Sequence, residues 1–442
     1  MRPVANEIMN HSSESLDHPQ RIALAGELHA RPFMRIDPPA RVLHLALFDG
    51  ESLTQHPAWL AILCECFGVT PPVSGARYFS HDFGPYRLKW ENHAEFSTYT
   101  FVLRDSDGPV FAESPLAGLP QSWLSALKGY VISATQLSFI KGPVEPSYAN
   151  DSAVHDCFVG TVVAGARVMA GAEAWSDFLV QPDGVGRFLL RDVSLREFQA
   201  GRLTQRVLEI DTYRMMALLA LPVAQQCQPA ISIAEADLAV ISRELAGVAS
   251  PDEEQSLLER LTRLSASIEA MVENNNYRFS AADAYFNIVR ARLQELREER
   301  IEGAPTFGEF MDRRLVPAID FCASVRRRQG ELVERLSRAD SLLRTRVTMT
   351  QERNNAEILV SLNQRAAVQL RLQQTVEGFS TVAISYYLLG LSNYLFKSLD
   401  KLGFPVNVDI ASGIAIPVVI VTVWFGVRRI RHSLVGQDAS TH

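Results

Sequence analysis

The stretch KWENHAEF sets Lys89, Glu91, His93 and Glu95 at every second position, so in an extended strand all four share one face. A histidine between two carboxylates is the arrangement of a metal site or of an acid/base pair. The opposite parity carries Tyr86, Leu88, Trp90 and Phe96, the pattern of a half-buried strand whose charges face water. The pattern favours this plainer reading.

Two further groups are weighed the same way. In ELHARPF, Glu27, His29 and Arg31 share a parity ahead of Pro32, which suits a structural salt link in an extended lead-in. Arg206 with Glu209, and Asp211 with Arg214, are three residues apart, the ordinary spacing of ion pairs along a helix. The signatures of common enzymes are missing: no GxxxxGK[ST] phosphate loop, no GxGxxG after a strand, no GxSxG elbow and no HExxH pair. The expectation is therefore a protein that is not an enzyme, with no catalytic residue, cofactor or metal site.

Composition narrows the class further. The 442 residues leave room for two or three domains, and 47% hydrophobic with 21% charged content is ordinary for a folded chain. A formal charge of -7, with basic residues clustered only near the C-terminus, argues against nucleic acid, whose phosphates demand a positive surface. The five cysteines, Cys64, Cys66, Cys157, Cys227 and Cys322, contain no CxxC pair. Neither a disulfide framework nor a thiolate zinc site is indicated, and Cys64 and Cys66 read as small buried residues in an apolar run.

The elements that would position these residues begin after a polar leader, 1–18. Strand-like runs ARVLHLALF, RYFSHDF, YRLKWENHAEFSTYTFV and YVISATQLSFI alternate with short helices near Pro57 to Phe67 and Gln121 to Leu127. A strand in CFVGTVVAGARVM and a hairpin turning at Pro182, Asp183 and Gly184 complete an α+β domain, 19–193, with a mostly antiparallel sheet.

At Ser194 the period becomes helical. Ser194 and Glu197 form a capping-box pattern opening one long helix, and residues 194–376 are expected to form a helical stalk domain. Leu257, Leu261, Leu264, Ile268 and Met271 follow a coiled-coil register. Asn274, Asn275 and Asn276 are expected to interrupt it, giving two antiparallel helices, the second ended near Gly303 and Pro305. Thr306 and Glu309 repeat the capping box, and from Gln329 to Phe396 one helix of about 100 Å could run without a break.

That helix would enter the first of two uncharged runs, Gly378 to Phe396 and Ile410 to Val427. A helix of roughly 18–20 residues covers the ~30 Å hydrocarbon core of a bilayer, so a two-helix transmembrane hairpin, 377–432, is expected, followed by a short tail, 433–442. Arg428, Arg429 and Arg431 directly follow the second run, while the connection carries only Lys397 and Lys401. Both termini are therefore expected in the cytoplasm, with the anchor in a bacterial inner membrane.

Several segments, ELHARPF, KWENHAEF, LTQRVLEIDTYRMMALL, LLRTRV and RLQQTVEGFSTVAISYYLLGL, together resemble an uncharacterised bacterial family of membrane-anchored proteins, the domain-of-unknown-function 3422 family. That resemblance implies the anchor and supplies no functional residues. The layout also looks like that of CorA-type magnesium channels, homopentamers whose stalk helices continue into a pore and whose first span ends in Gly-Met-Asn. Here the corresponding residues are Gly390, Leu391, Ser392 and Asn393, one residue too many.

In an oligomer Ser385 and Asn393 could line a hydrated axis, with Glu377 as a ring of charge at its mouth. Small and weakly polar residues also let membrane helices pack closely, and this reading is preferred. The sequence reading is thus a non-enzymatic, self-associating scaffold or regulator at the membrane, with a divalent-cation channel or transporter as the alternative.

Overall fold

The computed structural model describes residues 18, 20–21, 24–25, 33–50, 54–103, 110–111, 115–142, 154, 156–248, 250–401 and 407–435. The chain divides into two compact units, Met1–Gly247 with Glu259–Asp340, and Val248–Leu258 with Ser341–His442.

In the first unit, strands β1 (Ala40–Phe48), β2 (Tyr78–Asp82), β3 (Tyr86–Asn92), β4 (Phe96–Leu103), β5 (Val131–Lys141), β6 (Ala164–Val168), β7 (Ala172–Ser176), β8 (Gly186–Asp192) and β9 (Glu299–Arg300) form one mixed sheet. Their order is β2-β3-β4-β1-β5-β8-β7-β6-β9, and every pairing is antiparallel except that of β5 with β8.

One face of the β1–β4 half is apolar in the expected alternation. Leu43, Leu45 and Leu47 of β1 pack with Leu88, Trp90, Tyr99 and Phe101, beneath helices α1 (His56–Cys66) and α2 (Gln121–Ala126). Fully burying each such side chain contributes about 1.5–3 kcal/mol. Trp123 of α2 is completely buried and satisfies its indole N–H by donating to the Trp59 carbonyl at 2.9 Å.

The run from Tyr86 to Val102 is a hairpin rather than one strand. Asn92 pairs with Ser97, so the chain reverses through His93, Ala94 and Glu95. Those four charged or ionisable residues therefore do not share a single strand face. Nor are they solvated: Lys89, Glu91 and Glu95 are only 4%, 8% and 2% exposed. The opposite parity behaves as expected, with Tyr86, Leu88 and Trp90 in the core.

Helices α3 (Gln199–Leu218), α4 (Ala220–Gly247), α5 (Pro251–Leu296) and α6 (Phe307–Lys401) follow. Three local expectations fail for identifiable reasons. The Ser194/Glu197 cap is not used: Leu195 N–H donates to Asp192 and Arg196 N–H to Gln199, while Phe198 turns left-handed and the helix starts at Gln199. The helix then breaks at Leu219, because Pro222 has no N–H to return to the carbonyl of Leu218. Asn274, Asn275 and Asn276 do not interrupt α5, since asparagine without glycine or proline is only mildly unfavourable in a helix. Asn275 there donates to the Cys227 thiol at 2.9 Å.

Leu257, Leu261 and Ile268 of the expected register are buried, Leu264 and Met271 half-buried. The two-residue strand β9 lay in a region with no strand signal and exists by pairing with β6. The Thr306/Glu309 capping box forms as expected: Glu309 N–H donates to Thr306 Oγ1 at 3.1 Å and Thr306 N–H to Glu309 at 3.2 Å.

In the second unit α6 continues through Lys401, and α7 (Val408–Val435) extends past the expected start of the tail at residue 433. Among the described residues one helix, Asp409–Arg429, is long and apolar enough to cross a membrane, and only 6% of its most apolar window is buried. The other run, Gly378 to Phe396, is diluted by three tyrosines, three serines and Asn393.

Candidate functional site

The face of the β1–β4 half-sheet opposite its apolar core is polar, although it too is buried. His44 of β1, Lys89 and Glu91 of β3, and Thr98 and Thr100 of β4 face Thr204, Gln205, Glu209 and Thr212 of α3. Burying polar groups costs free energy unless each is hydrogen-bonded, so a polar layer in a core position is where function is sought first. Between the layers lies a partly open cavity of about 260 Å³, lined also by Met34, Ile36, Phe96, Leu208, Tyr213 and Arg292. It falls just below the roughly 300–1,000 Å³ of sites for drug-sized ligands, a volume suited to a small metabolite.

The charges are balanced along a chain of contacts. Lys89 Nζ sits 3.0 Å from Glu91 and 3.4 Å from the side-chain oxygen of Gln205. Gln205 donates to Glu209 at 2.7 Å, and Glu209 accepts from Arg292 of α5. Arg292 also donates to Glu295 at 2.7 Å, and Glu295 accepts from Arg206 at 2.8 Å. Arg206 and Glu209 therefore pair with α5 rather than with each other, while Asp211 and Arg214 do pair as expected, at 2.7 Å.

His44 is hydrogen-bonded at both ring nitrogens, Nδ1 to Thr100 at 2.9 Å and Nε2 to Thr212 at 3.0 Å. Burial disfavours its charged form and lowers its pKa from 6.5 to about 4, against the pull of Asp211. Burial pushes the Asp211 carboxyl up, but Arg214 and the hydroxyls of Thr135 and Ser133 outweigh it and hold the group below its ordinary range.

His93 lines the same cavity, its ring stacked on Phe96 at 4.3 Å. Glu95 lies apart from the cavity, held by Arg278 and Tyr277. Of the candidates read from sequence, Lys89, Glu91, His93 and Glu209 thus meet at one cavity. Glu27, His29 and Arg31 lie outside the described residues. The sequence reading missed His44, Thr98, Thr100, Thr204, Gln205, Thr212 and Arg292. The one available signal was His44, a polar ring in the midst of the apolar stretch Val42 to Phe48 of β1.

No group of three or more His, Cys, Asp or Glu side chains able to hold a metal occurs among the described residues. All five cysteines are free; Cys64 is buried as expected, but Cys66 is exposed.

The positions singled out near the C-terminus lie in the second unit. Glu377 is half-buried, Ser385 buried and Asn393 exposed. Ser380, Thr381, Ser385 and Ser392 each donate to the carbonyl four residues earlier, at 2.8–3.0 Å. Gly390 and Asn393 line a groove of about 650 Å³ together with Ser412, Ala415 and Ile416 of α7. Arg428 and Arg429 are exposed, Arg428 lying over the Trp424 ring at 5.0 Å, and Arg431 lies within α7.

The molecule is therefore an α+β protein with a mixed sheet, a polar cavity under one helix and a mostly helical remainder ending in an uncovered apolar helix. The chain belongs to the family described as "Protein of unknown function (DUF3422)", which matches residues 16–434. Comparison with curated proteins and with solved structures gave no match.

Proposed function

We propose that the protein is a non-enzymatic scaffold or regulator, anchored in the bacterial inner membrane by its C-terminal helices and self-associating through the segment that precedes them. The observation that carries the anchor is the helix Asp409–Arg429, whose apolar surface is almost entirely uncovered. Water does not tolerate that much exposed apolar surface; a bilayer does.

The second span in this reading is Gly378 to Phe396. Its serine and threonine hydroxyls are satisfied within their own helix, which suits apolar surroundings in which no water is available to them. The arginines after the second span, against the lysines of the connection, favour cytoplasmic termini.

Self-association is supported by the stretch before the spans. Ile358, Leu362, Leu372 and Val376 are between 53% and 66% exposed in a segment too polar for lipid. Their spacing suits a helical seam between copies of this chain.

The cavity favours binding over reaction. Its lysine, arginine and carboxylates neutralise one another, and His44, with a pKa near 4 and both nitrogens engaged, is poorly poised as a base at neutral pH. The test of assembly is the mass of the full-length protein in detergent, measured by light scattering. A dimer or larger oligomer that falls to monomer with Leu362→Glu and Leu372→Glu supports the reading, and a wild-type monomer sinks it.

A further inference from the structure

A second pocket, separate from the polar cavity, opens at the start of α3. It has a volume of about 250 Å³ and is lined by Arg202 and Arg206 of α3, Arg297 at the end of α5, Glu295, Gln199 and Met169. Three guanidiniums thus face one carboxylate, and Glu295 is already shared between Arg206 and Arg292.

Two of the arginines have no counter-ion among the described residues. Among the described residues neither Arg202 nor Arg297 has a carboxylate partner, and the Nε of Arg202 is buried without any hydrogen-bond acceptor. A guanidinium N–H that is out of reach of solvent is costly to leave unpaired, so the Nε of Arg202 is a donor that a bound acceptor would satisfy.

The local backbone concentrates positive charge at the same point. Helix α3 starts at Gln199 with no side chain capping it, so its first amides and the positive end of its dipole lie beside Arg202. Arg297 follows α5 in the left-handed region, at φ 49°. The lining is mostly polar, with Met169 its only long apolar side chain.

We infer that Arg202, Arg206 and Arg297 form a binding site for a phosphoryl dianion, either inorganic phosphate or the phosphate end of a small monoester. The two uncompensated positive charges match the roughly −1.5 to −2 carried by such a group near neutral pH. The planar forks of arginine present paired donors to its oxygens, a geometry that a single-point anion such as chloride cannot use. With so little apolar lining, recognition rests on the phosphoryl group and not on the body it is attached to.

The same chemistry could be offered by a soluble phosphate or by a lipid phosphomonoester, and the experiment separates them. Inorganic phosphate, and then glycerol 3-phosphate, are titrated by calorimetry into the full-length protein in detergent at fixed ionic strength. In a parallel arm the protein is placed in phosphatidylcholine nanodiscs with or without phosphatidic acid, and inorganic phosphate is titrated against both.

The expected result is saturable binding of one phosphate per chain. It weakens by at least about tenfold in Arg202→Gln and in Arg297→Gln, and chloride does not displace it. Arg297 is exposed, so Arg297→Gln leaves the fold intact even if Arg202→Gln does not. Loss of phosphate binding only in the discs that contain phosphatidic acid assigns the site to a lipid headgroup, and retention in both assigns it to a soluble anion. No saturable binding of either probe, unchanged affinity in both variants, or equal displacement by chloride would overturn the inference.

Discussion

Arg278 of α5 grips Glu95, in the β3–β4 turn, with both terminal nitrogens of its guanidinium, at 3.1 and 2.7 Å. The carboxylate is 98% buried by side chain, and the guanidinium also lies over the Phe48 ring at 5.3 Å. This contact fastens a helix more than 180 residues downstream to the hairpin that carries Lys89 and Glu91.

Removing the arginine alone strands a buried charge. Arg278→Met is expected to destabilise the protein by about 3–5 kcal/mol, and Arg278→Met with Glu95→Gln by clearly less. Denaturant unfolding of the three proteins measures this. Equal losses in the single and double variants would show that Glu95 is not a stranded buried charge once Arg278 is gone.

Acid should weaken the fold through His44. Its folded pKa of about 4 lies below the ordinary 6.5, so between those values the unfolded chain holds a proton that the folded chain does not. The contribution is complete above pH 6.5 and is lost as the pH falls toward 4, a change on the order of 3 kcal/mol. His44→Gln should flatten that part of the stability profile when unfolding is followed at pH 7, 5.5 and 4.5. An unchanged slope would mean that other groups carry the acid sensitivity.

The scaffold reading and the channel reading part at two residues near the first apolar run. If Glu377 and Asn393 serve packing, then Glu377→Ala and Asn393→Ala leave divalent-cation uptake by cells unaltered. A loss of uptake in either variant, with the assembly intact, would turn the account toward a CorA-like channel.

How far the sequence could be read depended on whether a signal was local. Strand β1 was legible to the residue because the prolines at 38 and 39 and the turn at Asp49 and Gly50 bound a mostly apolar run too short for a helix of ordinary length. The β3–β4 hairpin was not, because its turn, His93 to Glu95, contains no glycine, proline or asparagine and continues the alternation around it. The Ser194/Glu197 pattern was a sound local cap, overridden by Asp192 and Gln199. Half of the cavity was visible as a charged strand, but its other half depends on long-range packing. His44 meets Thr212 across 168 residues, and no spacing rule connects them.

The most direct test of the anchor is extraction of cell membranes with alkaline carbonate, applied to the wild type and to a variant carrying Ile416→Arg and Ile420→Arg within Asp409–Arg429. The wild type is expected to stay in the membrane pellet, while the variant, with two charges set in this span at a cost of about 2.5–3.5 kcal/mol each, is extracted more readily and is held only by Gly378 to Phe396. Wild-type protein washed into the soluble fraction would contradict the anchor and, with it, the proposed role.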